Sequence, residues 1–183
     1  IMMKSSLNNY LYASMFTALI SVLGYVSIPL PFSPVPITGQ SLAVMLTGSI
    51  LNARQSAMSM VTFLLLGIVG VPVFSGGRSG IGVIVGPTGG YLIGFLIGAI
   101  IISLLKGKTN NIMRLGIANI LGGIGVVYII GTLWLMYLTG MGLYEAVVAG
   151  VIPYIPGDLL KVSIATFVGY GVNNRLVSSF IKS

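Results

Sequence analysis

The stretch Ile112–Leu138, IMRLGIANILGGIGVVYIIGTLWLMYL, carries one charged side chain, Arg114. It exceeds the roughly 20 mainly apolar residues that a transmembrane helix needs. The same character extends over the whole chain: of 183 residues, 56% are hydrophobic and 6% are charged, and the mean hydropathy is +1.06. Soluble domains carry about 25% charged residues. The sequence therefore predicts an all-α integral membrane protein.

Five further apolar segments are separated by polar residues or by proline and glycine. A short helical piece over residues 143–154 precedes the last of them, and outer loops occupy residues 29–37 and 74–89. The pattern predicts one membrane domain, a six-transmembrane-helix bundle. We expect its first helix to be retained, because no small-residue cleavage site of a signal peptide follows it. The predicted helices are residues 10–28, 38–51, 56–73, 90–105, 112–138 and 157–173.

Positive charge predicts the orientation, because cytoplasmic loops of membrane proteins are enriched in lysine and arginine. An even number of crossings puts both termini on one side, and most cations fall on that side, which we interpret as the cytoplasm. These cations are Lys4, Arg54, Lys106, Lys108, Arg114, Arg175 and Lys182. The other two, Arg78 and Lys161, fall on the outer side, together with the chain's two acids, Glu145 and Asp158.

All eight prolines fall at or beyond the predicted outer helix ends. Proline lacks a backbone N–H and cannot continue a helix interior. Irregular backbone at membrane depth is tolerated only where it is buried in protein or lines a cavity. We therefore expect function at the outer face. The prolines are Pro29, Pro31, Pro34, Pro36, Pro72, Pro87, Pro153 and Pro156.

The first outer loop reads IPLPFSPVPI over Ile28–Ile37. Prolines at this spacing favour stiff, extended backbone over helix. We predict a hinged lid with Phe32 as its apolar plug. A plain connector between two helices is the alternative.

The second outer loop reads VFSGGRSG over Val73–Gly80 and GPTGGY over Gly86–Tyr91. Glycines let backbone amides approach a ligand closely, and the Arg78 guanidinium offers a planar fork to an anionic group. A tight re-entrant turn is the alternative. The candidate ligand-binding residues of this loop are Phe74, Ser75, Gly76, Gly77, Arg78 and Tyr91.

The stretch PYIPGDLLK over Pro153–Lys161 holds the strongest candidates. Asp158 falls in the first turn of the last helix, where the helix dipole favours an anion, and Lys161 follows on the same face. A charged side chain at mid-membrane costs roughly 2.5–3.5 kcal/mol, so these two are expected to pair with each other or with a ligand. A self-neutralised pair that caps the helix is the alternative.

Two amides and a stripe of small residues complete the candidates. Gln40 and Asn119 either bind the ligand or hydrogen-bond between helices. Four outer aromatic residues are interpreted as a membrane-interface belt: Trp134, Tyr137, Tyr144 and Tyr154. Small residues on helix one either dock a partner subunit or pack inside the bundle: Ala13, Ser14, Thr17 and Ala18.

The residue types limit the chemistry. Without cysteine and histidine, the chain lacks the commonest metal ligands and the commonest general base, so we predict neither a metal site nor catalytic residues. The net charge of +7 comes from scattered cations, which argues against nucleic-acid binding. Two other functions stay open: an intramembrane lipid-modifying enzyme that uses Asp158 as base and Arg78 as anion clamp, or a small oligomeric channel or exporter subunit.

Four stretches resemble the biotin-specific S components (BioY family) of energy-coupling factor (ECF) transporters, and the resemblance extends over nearly all of the chain. It implies a six-helix substrate-capture subunit in a bacterial cell membrane, with no ATPase activity and no cofactor. Its partners would be a transmembrane coupling subunit and two ABC-type ATPases. The docking stripe departs from the family's alanine-rich pattern at Ser14 and Thr17. The stretches are IPLPFSPVPITGQ (28–40), LGIVGVPVFSGG (66–77), GPTGGYLIGF (86–95) and IPGDLLK (155–161).

The resemblance also suggests how biotin would be held. Asp158 would accept a hydrogen bond from the ureido ring, while Lys161 would donate to the ureido carbonyl. The carboxylate would meet Arg78, the amides of the two glycines before it, or a serine hydroxyl. The apolar part of biotin would be enclosed by Phe32, Phe74 and Tyr91.

Overall fold

Helices make up most of the chain, with a β-hairpin after the first. The computed structural model describes the backbone of residues 2–107 and 111–181 and the side chains of residues 7–107 and 111–175. In chain order the elements are α1 Met2–Gly24, β1 Ser27–Leu30, β2 Ser33–Thr38, α2 Gln40–Ile50, α3 Ala53–Ile68, a 3-10 turn Ser75–Gly77, α4 Ile81–Ile84, α5 Gly89–Lys106, α6 Ile112–Ala118, a π-helical segment Asn119–Val126, α7 Val127–Thr139, α8 Leu143–Gly150, a 3-10 turn Ile152–Tyr154 and α9 Ile155–Ile181.

The first outer loop forms the hairpin, which corrects the expectation of an all-α chain. Its backbone is extended, as the proline spacing predicts, and β1 pairs with β2 in antiparallel register, Ser27 opposite Thr38 and Leu30 opposite Ser33. Proline is compatible with strands at a sheet edge, where no partner needs its missing N–H. A two-stranded ribbon has such an edge along each strand, so the proline-rich sequence can still form a ladder.

Polar side chains set several helix ends. Gln55 N–H donates to Asn52 Oδ1 at 3.0 Å, and Asn52 N–H donates to Gln55 Oε1 at 3.1 Å. This capping box satisfies N–H groups that a helix start leaves free, so α3 begins at Ala53 rather than at the predicted Ser56. Gly140, with φ of 73°, ends α7 in the left-handed conformation that favours glycine.

Glycines bring α5 into backbone contact with the π-helical segment. A Cβ built on Gly98 would lie 2.5 Å from Gly122 O, and one on Gly122 would lie 2.8 Å from Gly98 O. A Cβ on Gly94 would lie 3.0 Å from the Cα of Val127. Membrane helices approach this closely only where small residues line the interface. We call this interface the glycine contact.

Three helical stretches of the described chain are long and apolar enough to cross a membrane. They are Gly89–Lys106, Ile112–Thr139 and Leu143–Arg175, whereas α2 and α3 are shorter apolar helices. At the chain's ends, α1 begins before the predicted Tyr10 and α9 continues past the predicted Asn173. The chain is therefore a membrane protein, and the count of six crossings remains a prediction.

Cations gather where α2 and α5 end. Lys106 Nζ donates to Ser49 O at 2.8 Å and to Leu51 O at 2.7 Å, and Arg114 Nε donates to Leu105 O at 2.6 Å. Positive charge is favourable at helix carboxyl ends. These helices begin at the opposite end of the bundle, where the acidic site lies. Three other predicted cytoplasmic cations lie outside the described side chains: Lys4, Lys108 and Lys182.

Candidate ligand-binding cavity

A cavity lies among the first turns of α2, α5 and α9, with α7 and β2 along its sides. Its empty volume is about 600 Å³, part of it open to solvent, which is within the usual range for small-molecule sites. The structure brings seven predicted site residues together in its lining: Gln40, Phe74, Ser75, Arg78, Tyr91, Asp158 and Lys161.

Asp158 and Lys161 form a buried ion pair at the inner wall. Their three-residue spacing places both on one face of α9, with Lys161 Nζ 2.9 Å from Asp158 Oδ1. The side chains are 8% and 16% exposed, respectively. Removing two charges from water is costly unless further hydrogen bonds satisfy the remaining atoms. Those bonds are present.

The pair lies within a hydrogen-bonded group that we call the Asp158 network: Thr38, Ser41, Tyr128, Asp158 and Lys161. Lys161 Nζ also donates to Thr38 O at 2.8 Å and to Ser41 Oγ at 2.9 Å, so its three N–H groups are all used. Ser41 Oγ donates to Asp158 Oδ1 at 3.1 Å, and Tyr128 Oη donates to Asp158 Oδ2 at 2.7 Å. Asp158 Oδ1 already accepts two hydrogen bonds, whereas lone pairs remain on Asp158 Oδ2, Tyr128 Oη and Ser41 Oγ.

Apolar rings form the walls around this polar group. Phe74 is fully buried and meets Phe63 edge to face, with ring centroids 5.5 Å apart. Tyr91 is also buried, and its hydroxyl donates to Gly150 O at 2.9 Å, which fixes the ring. Gln40 Nε2 donates to Val73 O at 3.0 Å and so holds the chain beside Phe74. A ligand here would meet rigid apolar surface.

Arg78 lies at the outer side of the cavity. Its Nε donates to Ser75 O at 3.1 Å, and the residue is exposed. Within the described side chains, the ion pair that forms is that of Lys161 with Asp158, so no carboxylate neutralises Arg78 there. Its guanidinium can therefore receive an anionic group of a ligand.

The hairpin is fastened to the cavity by Tyr154. Tyr154 Oη donates to Val35 O, and Ser33 Oγ contacts the same hydroxyl at 2.8 Å. Tyr154 is 7% exposed, so it belongs to the site and not to the predicted interface belt. By contrast, Tyr137 and Tyr144 are 84% and 81% exposed.

Three predicted binding residues of the outer loops do not line the cavity. Phe32 lies at the hairpin turn and is 63% exposed, and Val35 and Pro36 of β2 line the cavity in its place. Gly76 and Gly77 have φ of 68° and 74° and close a tight turn. In the structure these two glycines therefore form a tight turn, which was the alternative to ligand binding for this loop.

Asn119 also lies away from the cavity lining. Its Nδ2 donates to Ser49 Oγ at 2.9 Å and to Thr166 Oγ1 at 3.2 Å, while Ser49 Oγ is 3.1 Å from Asn119 Oδ1. The residue is fully buried. These bonds join the π-helical segment to α2 and α9, so Asn119 forms hydrogen bonds between helices, the second of its two predicted roles.

We expect Asn119→Ala to lower stability and to leave ligand affinity unchanged. Interhelical hydrogen bonds in membranes contribute about 0.6 kcal/mol each, so the loss of these contacts should lower the unfolding midpoint by a few degrees, on the order of 2–4 °C per kcal/mol. Thermal unfolding and ligand titration of the purified variant measure both. A loss of affinity at unchanged stability would return Asn119 to the site.

The small-residue stripe on α1 is divided between two environments. Thr17 Oγ1 lies 2.9 Å from Ala13 O and 2.9 Å from Ser59 O of α3. Ala13 and Thr17 are buried, whereas Ser14 and Ala18 are exposed. Half of the stripe therefore packs inside the bundle, and half remains accessible to a partner.

Several cavity residues were missed from the sequence, among them Ser41 and Tyr128, and Tyr154 was assigned to the interface belt instead. Ser41 follows Gln40 in a largely apolar helix, and Tyr128 places a hydroxyl in a long apolar run. A polar group in such a run is a signal of function or helix pairing. The sequence around Ser41 and Tyr128 does not indicate that both hydroxyls bond to Asp158.

The site holds ionisable groups suited to binding. In the described part of the chain, no three His, Cys, Asp or Glu side chains lie together, so these residues form no recognisable metal site. The carboxylate of Asp158 is fixed by three donors and surrounded by apolar walls. This arrangement can recognise a small neutral N–H donor with high directionality.

Comparisons with known proteins agree over nearly the full length. The sequence model of the BioY family matches residues 2–178. The chain is 38% identical over 176 residues to a biotin transporter BioY of Rhizobium etli, covering 91% of this chain and 94% of that protein. It is 36% identical over 169 residues to a probable biotin transporter BioY of Bacillus subtilis, covering 91% and 90%. The fold matches the 2.1 Å crystal structure of the S-component for biotin from an ECF-type ABC transporter, with TM-score 0.87, 28% identity and 93% of each chain covered.

Proposed function

Because the chain belongs to the BioY family, we propose that it captures biotin in the cavity around Asp158 and delivers it across the cell membrane as the S component of an ECF-type transporter. The Asp158 network is the observation that carries this proposal. It places a buried, oriented carboxylate oxygen beside an apolar cavity, which suits a ureido N–H next to a hydrocarbon ring. The relatives are named as biotin transporters, which favours a transport subunit over the enzyme alternative.

Biotin would enter with its ureido ring first. The ring N–H groups would donate to Asp158 Oδ2 and Tyr128 Oη, two of the acceptors that keep lone pairs. Lys161 would reach the ureido carbonyl only by releasing one of its present acceptors, such as Thr38 O. The apolar rings would flank the thiophane ring, and the carboxylate would lie toward Arg78.

The proposal extends to the membrane arrangement and the partners. Six crossings would place both termini in the cytoplasm of a bacterial cell, with the cavity at the outer face. Transport would be powered by a transmembrane coupling subunit and two ABC-type ATPases. The exposed half of the stripe, Ser14 and Ala18, is the part of α1 that could contact that coupling subunit.

Cysteine labelling tests the orientation, because the sequence has no native cysteine. Ser79 is exposed beside Arg78, and Met113 is exposed near the opposite end of the bundle. We expect a membrane-impermeant thiol reagent to label Ser79→Cys in intact cells and Met113→Cys only after permeabilisation. The reverse pattern would invert the proposed topology.

Direct titration tests the function. A nanomolar affinity corresponds to about 12 kcal/mol, and for a ligand of roughly 16 non-hydrogen atoms it requires near-complete enclosure. We expect the purified protein to bind biotin in this range by calorimetry. Absence of binding by folded protein would overturn the proposal, and turnover of labelled lipid would favour the enzyme alternative.

A further inference from the structure

A second depression lies outside the cavity, between the hairpin and the 3-10 turn Ser75–Gly77. We call it the outer vestibule; its empty volume is about 680 Å³, part of it open solvent. Tyr25, Ser27, Pro29 and Gly76 line the vestibule and do not line the cavity. The molecule therefore offers two adjoining spaces.

Three residues line both spaces: Pro36, Ser75 and Arg78. Arg78 therefore stands at the boundary, with its Nε fixed to Ser75 O at 3.1 Å. Because Arg78 lines both spaces, a carboxylate bound to its guanidinium from the cavity would lie next to the vestibule. An atom attached to that carboxyl group would extend into the vestibule and away from the Asp158 network.

The two ends of the ligand site differ in burial. The Asp158 side chain is 8% exposed, whereas Arg78 is exposed. Removing a hydrogen bond from a buried charged group has a large effect. An exposed ion pair contributes little, so losing it weakens binding by about fivefold or less. Recognition is therefore stringent at the ureido end and permissive at the carboxyl end.

The vestibule lining also suits a neutral substituent. The Tyr25 hydroxyl donates to Pro72 O at 2.7 Å, and Ser27 Oγ lies 3.3 Å from Ser75 Oγ, so these groups already have partners. Prolines of the hairpin supply apolar surface beside them. No acid among the described residues lines the vestibule.

We propose that the outer vestibule holds substituents on the ligand's carboxyl group, so that the chain binds neutral amides of biotin as well as free biotin. This proposal rests on the proposed function, because it takes the ureido ring to occupy the inner end of the cavity. It adds a ligand class that the Asp158 network alone does not predict.

The test compares biotin with the amide that its carboxyl group forms with propylamine. Both ligands are titrated against the purified protein in competition with labelled biotin. We expect the amide to bind within about tenfold of free biotin, since the exposed contact with Arg78 is the one lost. If biotin binds tightly and a thousandfold excess of the amide does not compete, this inference is wrong while the proposed function stands.

Variants of β1 locate the substituent. Ser27→Trp and, independently, Pro29→Trp fill the vestibule, and each should weaken the amide at least tenfold more than free biotin. Ile28→Trp is the matched control: Ile28 is 59% exposed, lies between them on β1 and lines neither space. It should change both affinities equally. Equal effects of Ser27→Trp and Pro29→Trp on both ligands would also overturn the inference. If the unsubstituted protein does not bind biotin at all, the proposed function is wrong and this inference is wrong with it.

Discussion

Asp158→Asn should weaken biotin binding by roughly 30-fold to several thousandfold. Truncating one partner of a buried, hydrogen-bonded charge pair costs about 2–5 kcal/mol, and each 1.4 kcal/mol is tenfold in affinity. The substitution keeps the shape of the side chain, but it replaces a carboxylate oxygen by an amide and leaves Lys161 without its counter-charge. Calorimetric titration of the purified variant measures the loss.

Glu145→Gln is the matched control for this experiment, because Glu145 is the chain's other acid. Glu145 is exposed and accepts a hydrogen bond from Gly142 N at 3.2 Å, at the start of α8. The same change of charge there should leave biotin affinity unaltered. Wild-type affinity in folded Asp158→Asn protein would remove that carboxylate from the site.

Tyr154→Phe should speed the dissociation of biotin by about tenfold. The change keeps the ring and removes the hydroxyl that joins Ser33 and Val35 to the bundle. A hydrogen bond contributes about 0.5–1.5 kcal/mol net, and two bonds restrain β2 beside the cavity. Loosening them should let the hairpin open more often. A chase of bound labelled biotin with unlabelled biotin measures the rate.

Tyr137→Phe provides the control for the lost hydroxyl. Tyr137 is 84% exposed, and its ring contacts Trp134, with ring centroids 6.4 Å apart, rather than the hairpin. Its removal should leave the dissociation rate unchanged. If Tyr154→Phe releases biotin at the wild-type rate, the hairpin does not control escape from the cavity.

The helices were largely predictable from hydropathy, because an apolar run must satisfy its own backbone within a membrane. The hairpin was not predicted, although its extended backbone was. Its strand pairing depends on a distant contact, since Tyr154 lies 119 residues after Val35. Local capping also moved a boundary, as Asn52 and Gln55 show for α3.

The site was predictable where chemistry is local. Asp158 and Lys161 lie three residues apart in an apolar stretch, so their pairing followed from helix geometry. Ser41 lies 117 residues before Asp158, and no local pattern joins the two. The exposure of Phe32 was not predictable, because an alternating proline sequence does not reveal which side chain the turn of a hairpin will expose.

The glycine contact bears on which parts of the protein can move. Backbones that touch at Gly98 and Gly122 have no intervening side chains that can change rotamer and let one helix slide past the other. We therefore expect α5 and the long helix of residues 112–139 to behave as one rigid strut during a transport cycle. We expect the movements of the transport cycle to occur in the hairpin, α2 and α9 instead. A pair of spin labels on the outer faces of α5 and α7 should keep one separation with and without biotin, and a change in that separation would show that the strut bends.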